Sequence, residues 1–239
     1  MERRIGIIGG TSLVKRAGEL DLELVQVETP YGHPSSPLHL GEWGGRPVAL
    51  LVRHGLDHDI PPHMLNNRAN VEAMLSAGVK KLVLIASAGS LREDLKPPTV
   101  VLVDDYASPF SSATFFDDCV VHITPALSES MRGVLSEVAS EEGIEVVNGG
   151  TYVQTLGPRL ETRAEVKSLR SWGDVVGMTM ASEASLAIER DIEVAAMISV
   201  DNLANGLGDA PLEFETILAN ATRNWMTMER ILMRAVPRL

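Results

Sequence analysis

Ile5-Gly6-Ile7-Ile8-Gly9-Gly10-Thr11 is an apolar run that stops on two glycines and a hydroxyl. Ile5 to Ile8 reads as a buried strand, and glycines at its end let backbone N–H groups come close to an anion. It is not a dinucleotide fingerprint, because the G-x-G-x-x-G spacing is absent and the following residues are not clearly helical. Working outward, the same pattern of apolar runs recurs. Pro47 to Val52, Lys81 to Ala86, Val100 to Val103, Val146 to Thr155 and Val194 to Val200 read as further buried strands. Leu65 to Leu75, Leu127 to Glu141, Arg163 to Leu169, Ser182 to Glu189 and Leu212 to Met233 read as helices. Strands alternating with helices indicate an α/β layer fold. In the last helix Phe214, Ile217, Leu218, Ala221 and Trp225 form a stripe at helical spacing, expected to face the core. With no repeat, low-complexity segment or long Gly/Ser linker, a single domain over residues 1–239 is expected.

Composition narrows the function classes. The chain has 239 residues, 45% of them hydrophobic, enough for one sizeable core. A net charge of -11 argues against a nucleic-acid partner, which requires a basic face. Any phosphate ligand must then be held by local cations against a repulsive overall field. The lone Cys119 excludes an internal disulfide and fits a reducing compartment. No apolar run approaches a membrane span, and Met1-Glu2-Arg3-Arg4 leads straight into the first strand, so no signal peptide or membrane is expected and the location is read as cytoplasmic.

Several strands end in groups suited to an anion. Arg53-His54 follows Pro47 to Val52, where open α/β sheets place ligands. Arginine suits bidentate phosphate binding, and histidine adds a donor. Ser87 lies in the small-residue run Ala86-Ser87-Ala88-Gly89-Ser90, and Thr179 ends Gly177-Met178-Thr179. Each taken alone also reads as an ordinary turn or surface feature. His33, His39, His58 and His63 lack metal-ligand spacing, so no metal is expected. In Gly157-Pro158-Arg159-Leu160-Glu161-Thr162-Arg163, Glu161 stands at a helix mouth. It either complements the helix dipole or accepts a hydrogen bond from an N–H of a flat heterocycle lying on Leu160.

Taken in order, these segments resemble the trimeric purine nucleoside phosphorylases and the related 5'-methylthioadenosine phosphorylases. The resemblance runs over Ile7-Ile8-Gly9-Gly10-Thr11, Thr29-Pro30-Tyr31-Gly32, Arg53-His54-Gly55, Asn66-Asn67-Arg68-Ala69-Asn70, Ala88-Gly89-Ser90-Leu91-Arg92-Glu93, Gly157-Pro158-Arg159 and Gly177-Met178-Thr179, or about residues 5 to 205. It implies a phosphorylase/hydrolase-like domain, a central twisted mixed β-sheet flanked by helices. It also implies a homotrimer or dimer of trimers, with no cofactor and orthophosphate as co-substrate. Thr11, Arg53, His54, Ser87 and Thr179 fall on the family's phosphate positions. Met178 matches a methionine that packs on the sugar. Leu160 takes a position usually held by an aromatic that faces the purine.

The resemblance divides at the base. Counted without gaps, Asn202 and Ala204 fall where the adenine-type enzymes carry an Asp-x-Asp pair, while Asn202 and Glu161 match the 6-oxopurine enzymes. Chemistry agrees: a 6-oxopurine offers an N1 proton to a carboxylate, whereas adenine N1 offers a lone pair. A slip of one residue would put Asp201 at the base instead. At the 5' end of the sugar, an apolar Phe214 points to a methylthio group, and His122 resembles a histidine lent by a neighbouring subunit. The sequence therefore implies phosphate-dependent cleavage of 5'-methylthioinosine, or of inosine or guanosine, within purine salvage. Asn202, Glu161 and His54 are the expected catalytic residues. The alternatives are 5'-methylthioadenosine phosphorylase, a water-using nucleosidase, and a purine-binding protein without turnover.

Overall fold

The computed structural model describes residues 3–10, 12–110, 113–208 and 212–239. Their elements run β1 (Arg4–Gly9), α1 (Ser12–Glu19), β2 (Glu23–Val25), β3 (Leu38–Trp43), β4 (Arg46–Val52), α2 (Asn67–Ser76), β5 (Val79–Ser90), β6 (Thr99–Val103) and β7 (Asp105–Ala107). Then follow α3 (Glu129–Glu141), β8 (Val147–Asn148), β9 (Thr151–Gln154), α4 (Arg163–Leu169), β10 (Val175–Gly177), α5 (Met180–Glu189), β11 (Glu193–Leu203) and α6 (Phe214–Ala235). All the strands join one mixed sheet, as expected. Beside β1 lie β4 and β5, both parallel to it; β11 runs parallel to β5, and β6 antiparallel to β11.

Alternation along the strands divides the core between two faces. Ile8, Leu51, Leu84, Ala196 and Ile198 pack with Val71 and Met74 of α2 and with Ala184 and Leu186 of α5. Ile7, Leu50, Val83, Ala195 and Met197 pack with Leu13 of α1, Leu135 of α3 and Ile231 of α6. Helices cover both faces, which is why the central strands read as nearly continuous apolar runs.

The sheet forks along β5. One edge of β5 pairs with β1 as far as Leu84 and with β10 only at Gly89 and Ser90. Among the described residues no strand pairs with 85–88 on that edge, while β11 continues along the other. The fork opens at the carboxyl end of β1, the place where parallel sheets gather ligands.

Four expectations change. A helix does follow Gly9-Gly10, over Ser12–Glu19. The strand expected over Val146 to Thr155 is two short strands, because Gly149 and Gly150 adopt φ of 114° and 124°, which only glycine takes easily. Helix α5 begins at Met180, a turn's fraction before Ser182. The stripe expected on the last helix is also not the buried one. Phe214 and Leu218 are exposed, and the buried face runs through Asn220, Asn224, Met228, Ile231, Leu232 and Ala235. Two asparagines on a core face are tolerable because each amide is bonded to β11: Asn220 donates to the Asp201 carbonyl and Asn224 to the Val200 carbonyl. Among the described residues no helix is long and apolar enough to cross a membrane.

Candidate functional site

Arg53 leaves the end of β4 and crosses the fork. Its backbone N–H donates to the Gly9 carbonyl at 2.8 Å, and Nη1 donates to the Ile85 carbonyl at 2.9 Å. Nε and Nη2 bind the two carboxylate oxygens of Glu183, on α5, at 2.6 Å each. Arg53 is 2% exposed and Glu183 fully buried, so each charge depends on the other for solvation. The bidentate edge expected to face phosphate thus grips Glu183, leaving one N–H on each Nη for a ligand.

His54 departs from the expected donor role. Its Nδ1 lies 2.8 Å from the Ile60 carbonyl, and a carbonyl only accepts, so Nδ1 carries the proton. Burial lowers its pKa to about 4; the Ile60 bond opposes the shift, and the nearby charges of Arg53 and His58 add to it. At neutral pH the other nitrogen, Nε2, is therefore an acceptor. Between pH 6.5 and about 4 the unfolded chain binds a proton at this position that the folded chain does not. Stability contributed here is lost as pH falls through that window. Urea titrations from pH 7 to 4 are expected to show a shallower loss of stability in His54→Gln than in the wild type. An unchanged slope would contradict the assigned protonation.

The strand ends around the fork converge. Gly177 abuts β5: a Cβ there would lie 2.8 Å from Cζ of Tyr152 and 2.9 Å from the Ser87 carbonyl oxygen, so the approach requires glycine. The buried Tyr152 hydroxyl accepts from the Thr179 N–H at 3.3 Å, and Gln154 Oε1 accepts from the Ser182 N–H at 2.9 Å. Side chains of β9 thus occupy amides at the start of α5, and Thr179 is its N-cap without a side-chain capping bond. Ser87 is exposed and Thr179 buried. Thr11 lies outside the described residues; Gly10 beside it faces open space.

Across β5 lies the base-reading pair expected from sequence. Val200 pairs with Ala88 and Asn202 with Gly89, so Asp201 is the extra residue of a β-bulge. The bulge separates the two neighbours. Asp201 is 1% exposed and accepts from the hydroxyls of Ser87 and Ser199 and from Asn224 Nδ2. Burial raises its pKa, against the pull of those hydrogen bonds. Asn202 is half-buried, and its Nδ2 donates to the Leu203 carbonyl at 2.9 Å.

Asn202, Leu160 and Glu161 line one cleft of about 910 Å³. Glu161 also lines a second, smaller cleft with Phe110, Leu156 and Gly157. Its Oε1 accepts from Thr155 Oγ1 at 2.6 Å, which holds the carboxylate; among the described residues Oε2 has no hydrogen-bond donor. The dipole reading of Glu161 does not describe this fold. Helix α4 is capped by Thr162 and Glu165 in a reciprocal capping box. Glu165 also takes both Nη of Arg159, and those bonds, followed by the Thr162 N–H, lower its pKa to about 2. Met178 packs its thioether against Gly157, joining this segment to Gly177-Met178-Thr179.

Two expected residues are not brought to the cleft. Phe214 is 71% exposed at the start of α6, and Leu212, Thr216 and Ile217 line the cleft wall instead. His122 lies on an exposed segment without regular structure and lines neither cleft. Glu183 and Thr155 were not anticipated, and Asp201 was weighed only as the alternative at the base. Glu183 had a signal, an acid in the first turn of the mostly apolar helix Met180–Glu189, where a buried carboxylate requires a partner.

Comparison with known proteins identifies the family and the fold. Residues 4–237 match the family model of the phosphorylase superfamily. Over 236 residues, 98% of this chain and 96% of the relative, the chain is 39% identical to the probable 6-oxopurine nucleoside phosphorylase of Archaeoglobus fulgidus. It is 37% identical to the probable S-methyl-5'-thioinosine phosphorylase of Thermodesulfovibrio yellowstonii, over 90% of this chain and 83% of that one. The methylthioadenosine phosphorylase from Schistosoma mansoni in complex with adenine superposes with a TM-score of 0.91 at 28% identity, over 99% of this chain and 91% of that chain.

Proposed function

The chain belongs to the phosphorylase superfamily, an enzyme of its purine nucleoside and methylthioadenosine phosphorylase branch, and on that premise we propose that it cleaves the N-glycosidic bond of a 6-oxopurine nucleoside with phosphate. The products are the free base and the sugar 1-phosphate. The observation that carries the choice of base is the bulge at Asp201. Asp201 also lines the cleft, but at 1% exposure its carboxylate is taken up by Ser87, Ser199 and Asn224, which leaves the more exposed Asn202, with Glu161, available to a base. This supports a base with a proton on N1 and an acceptor at O6. Glu161 Oε2 receives N1–H, and the Asn202 amide serves O6 or N7.

In this reading the phosphate site spans the fork, between the free Nη protons of Arg53, the His54 ring, Ser87 and Thr179. Phosphate held there attacks C1' while the sugar passes through an oxocarbenium-like state. Leu160 and Met178 supply apolar contact to base and sugar. No cofactor or metal enters the scheme. His122 and Phe214, both exposed in the single chain, are assigned to a site completed between subunits of a trimer, with Phe214 favouring a 5'-methylthio group.

The test is an initial-rate panel of methylthioinosine, methylthioadenosine, inosine, guanosine and adenosine, each with and without phosphate. Methylthioinosine is expected to lead, with turnover absent when phosphate is omitted. Equal or better kcat/KM for methylthioadenosine would replace this reading with the adenine-type one, and turnover without phosphate would indicate hydrolysis. Within the panel, Glu161→Gln is expected to lower the methylthioinosine to methylthioadenosine kcat/KM ratio by about 10- to 100-fold, since one buried polar mismatch costs about 1–3 kcal/mol. An unchanged ratio would remove Glu161 from base selection.

A further inference from the structure

Asp201 is a buried carboxylate with no part in the reaction just described. Its carboxylate partners among the described residues are neutral donors. Ser87, from β5, donates to Oδ2; Ser199 and Asn224 donate to Oδ1; Asn220 holds the Asp201 carbonyl. The charged side chains lining the same cleft are Glu161, Arg163 and Glu213, and none of them bonds the Asp201 carboxylate. A carboxylate accepts only, so the Ser87 hydroxyl proton is committed to Asp201. Ser87 is nevertheless exposed at the fork, and what it presents outward is its lone pairs. His54 repeats the pattern independently, because its Nδ1 proton is committed to Ile60 and its Nε2 carries none. Two side chains that sequence alone marks as anion donors are therefore acceptors.

We propose that Asp201 is a specificity-determining positioning residue that acts through Ser87, turning its oxygen into a proton acceptor so that the site takes an oxyanion bearing a hydroxyl and rejects one without. This rests on the reading of phosphate as co-substrate. Phosphate at neutral pH always carries at least one O–H, which can donate to Ser87 or to His54. Sulfate has the same shape and carries none, so its oxygens face lone pairs, with the Asp201 charge behind one of them. The Arg53 protons attract both anions alike and do not discriminate.

Calorimetric titration of phosphate and of sulfate into the purified protein at one neutral pH gives a ratio of dissociation constants. In the wild type sulfate is expected to bind at least about 10-fold more weakly than phosphate, about the value of one hydrogen bond and the repulsion that replaces it. Asp201→Asn is expected to cut that ratio by about 10-fold, because an amide can donate to Ser87 and free its proton for the ligand. Loss of packing alone would weaken both anions together and leave the ratio in place. Ser87→Ala, a change at an exposed hydroxyl, gives the second measurement should Asp201→Asn fold poorly; it too is expected to lower the ratio. Combining the two substitutions should lower it no further than either alone. A ratio that stays at the wild-type value in both single variants would overturn the proposal while leaving phosphate-dependent turnover intact. A wild type without phosphate-dependent turnover would overturn both this proposal and the reading beneath it.

Discussion

Asn202→Ala is expected to lower kcat by about 10²–10³-fold while changing the phosphate KM by no more than about 3-fold. The size follows from removing one preorganised donor aimed at charge that develops on the leaving group. Asn202 is suited to that task because its carboxamide is held at 2.9 Å to the Leu203 carbonyl through one N–H, leaving the other free. An interaction that strengthens only as the purine departs appears in kcat, not in ground-state binding of the other substrate. Steady-state kinetics with phosphate varied at saturating nucleoside separates the two. A phosphate KM raised strongly with kcat preserved would move Asn202 out of the leaving-group role.

Glu183→Ala is expected to have the largest effect on stability, a loss of about 3–5 kcal/mol, because it leaves the Arg53 guanidinium buried without its counter-charge. Urea unfolding followed by circular dichroism measures it. Replacing both partners with apolar residues, Arg53→Met with Glu183→Leu, is expected to restore most of the loss, since a buried pair contributes little net stability over apolar packing. The same double variant should be without phosphate-dependent turnover. That contrast assigns the pair to ligand binding and not to holding the fold. A Glu183→Ala protein as stable as the wild type would show that water or another group solvates Arg53.

These two residues also mark where sequence reading succeeds and where it stops. The helix over Arg163 to Leu169 is legible to the residue because its capping box is local, Thr162 with Glu165. Arg53 is legible as a ligand-end residue because an apolar strand stops just before it. Its partner is not, since Glu183 stands 130 positions later and nothing in either neighbourhood names the other. Asp201 and Asn202 are adjacent and chemically similar, and only the pairing of β11 with β5 shows which one is withdrawn. The stripe on α6 misleads for a related reason. Periodicity treats asparagine as polar, whereas Asn220 and Asn224 spend their polarity on β11 carbonyls and pack as core. Short strands such as β2, β7 and β10 hold three residues each, too few for a period to show.

The fork in β5 gives the proposed reaction a built-in gauge. Arg53 docks on one edge of this strand, at Ile85, and Asn202 pairs with the other, at Gly89. The offset between the anion's seat and the purine's seat is then set by the width and rise of a single backbone, about 4.8 Å across and 3.3 Å per residue. Hydrogen bonds along β11 keep that offset constant while the side chains on either rim change. Evolution can swap the base that is read, or the anion admitted, without remeasuring the gap the displacement must cross.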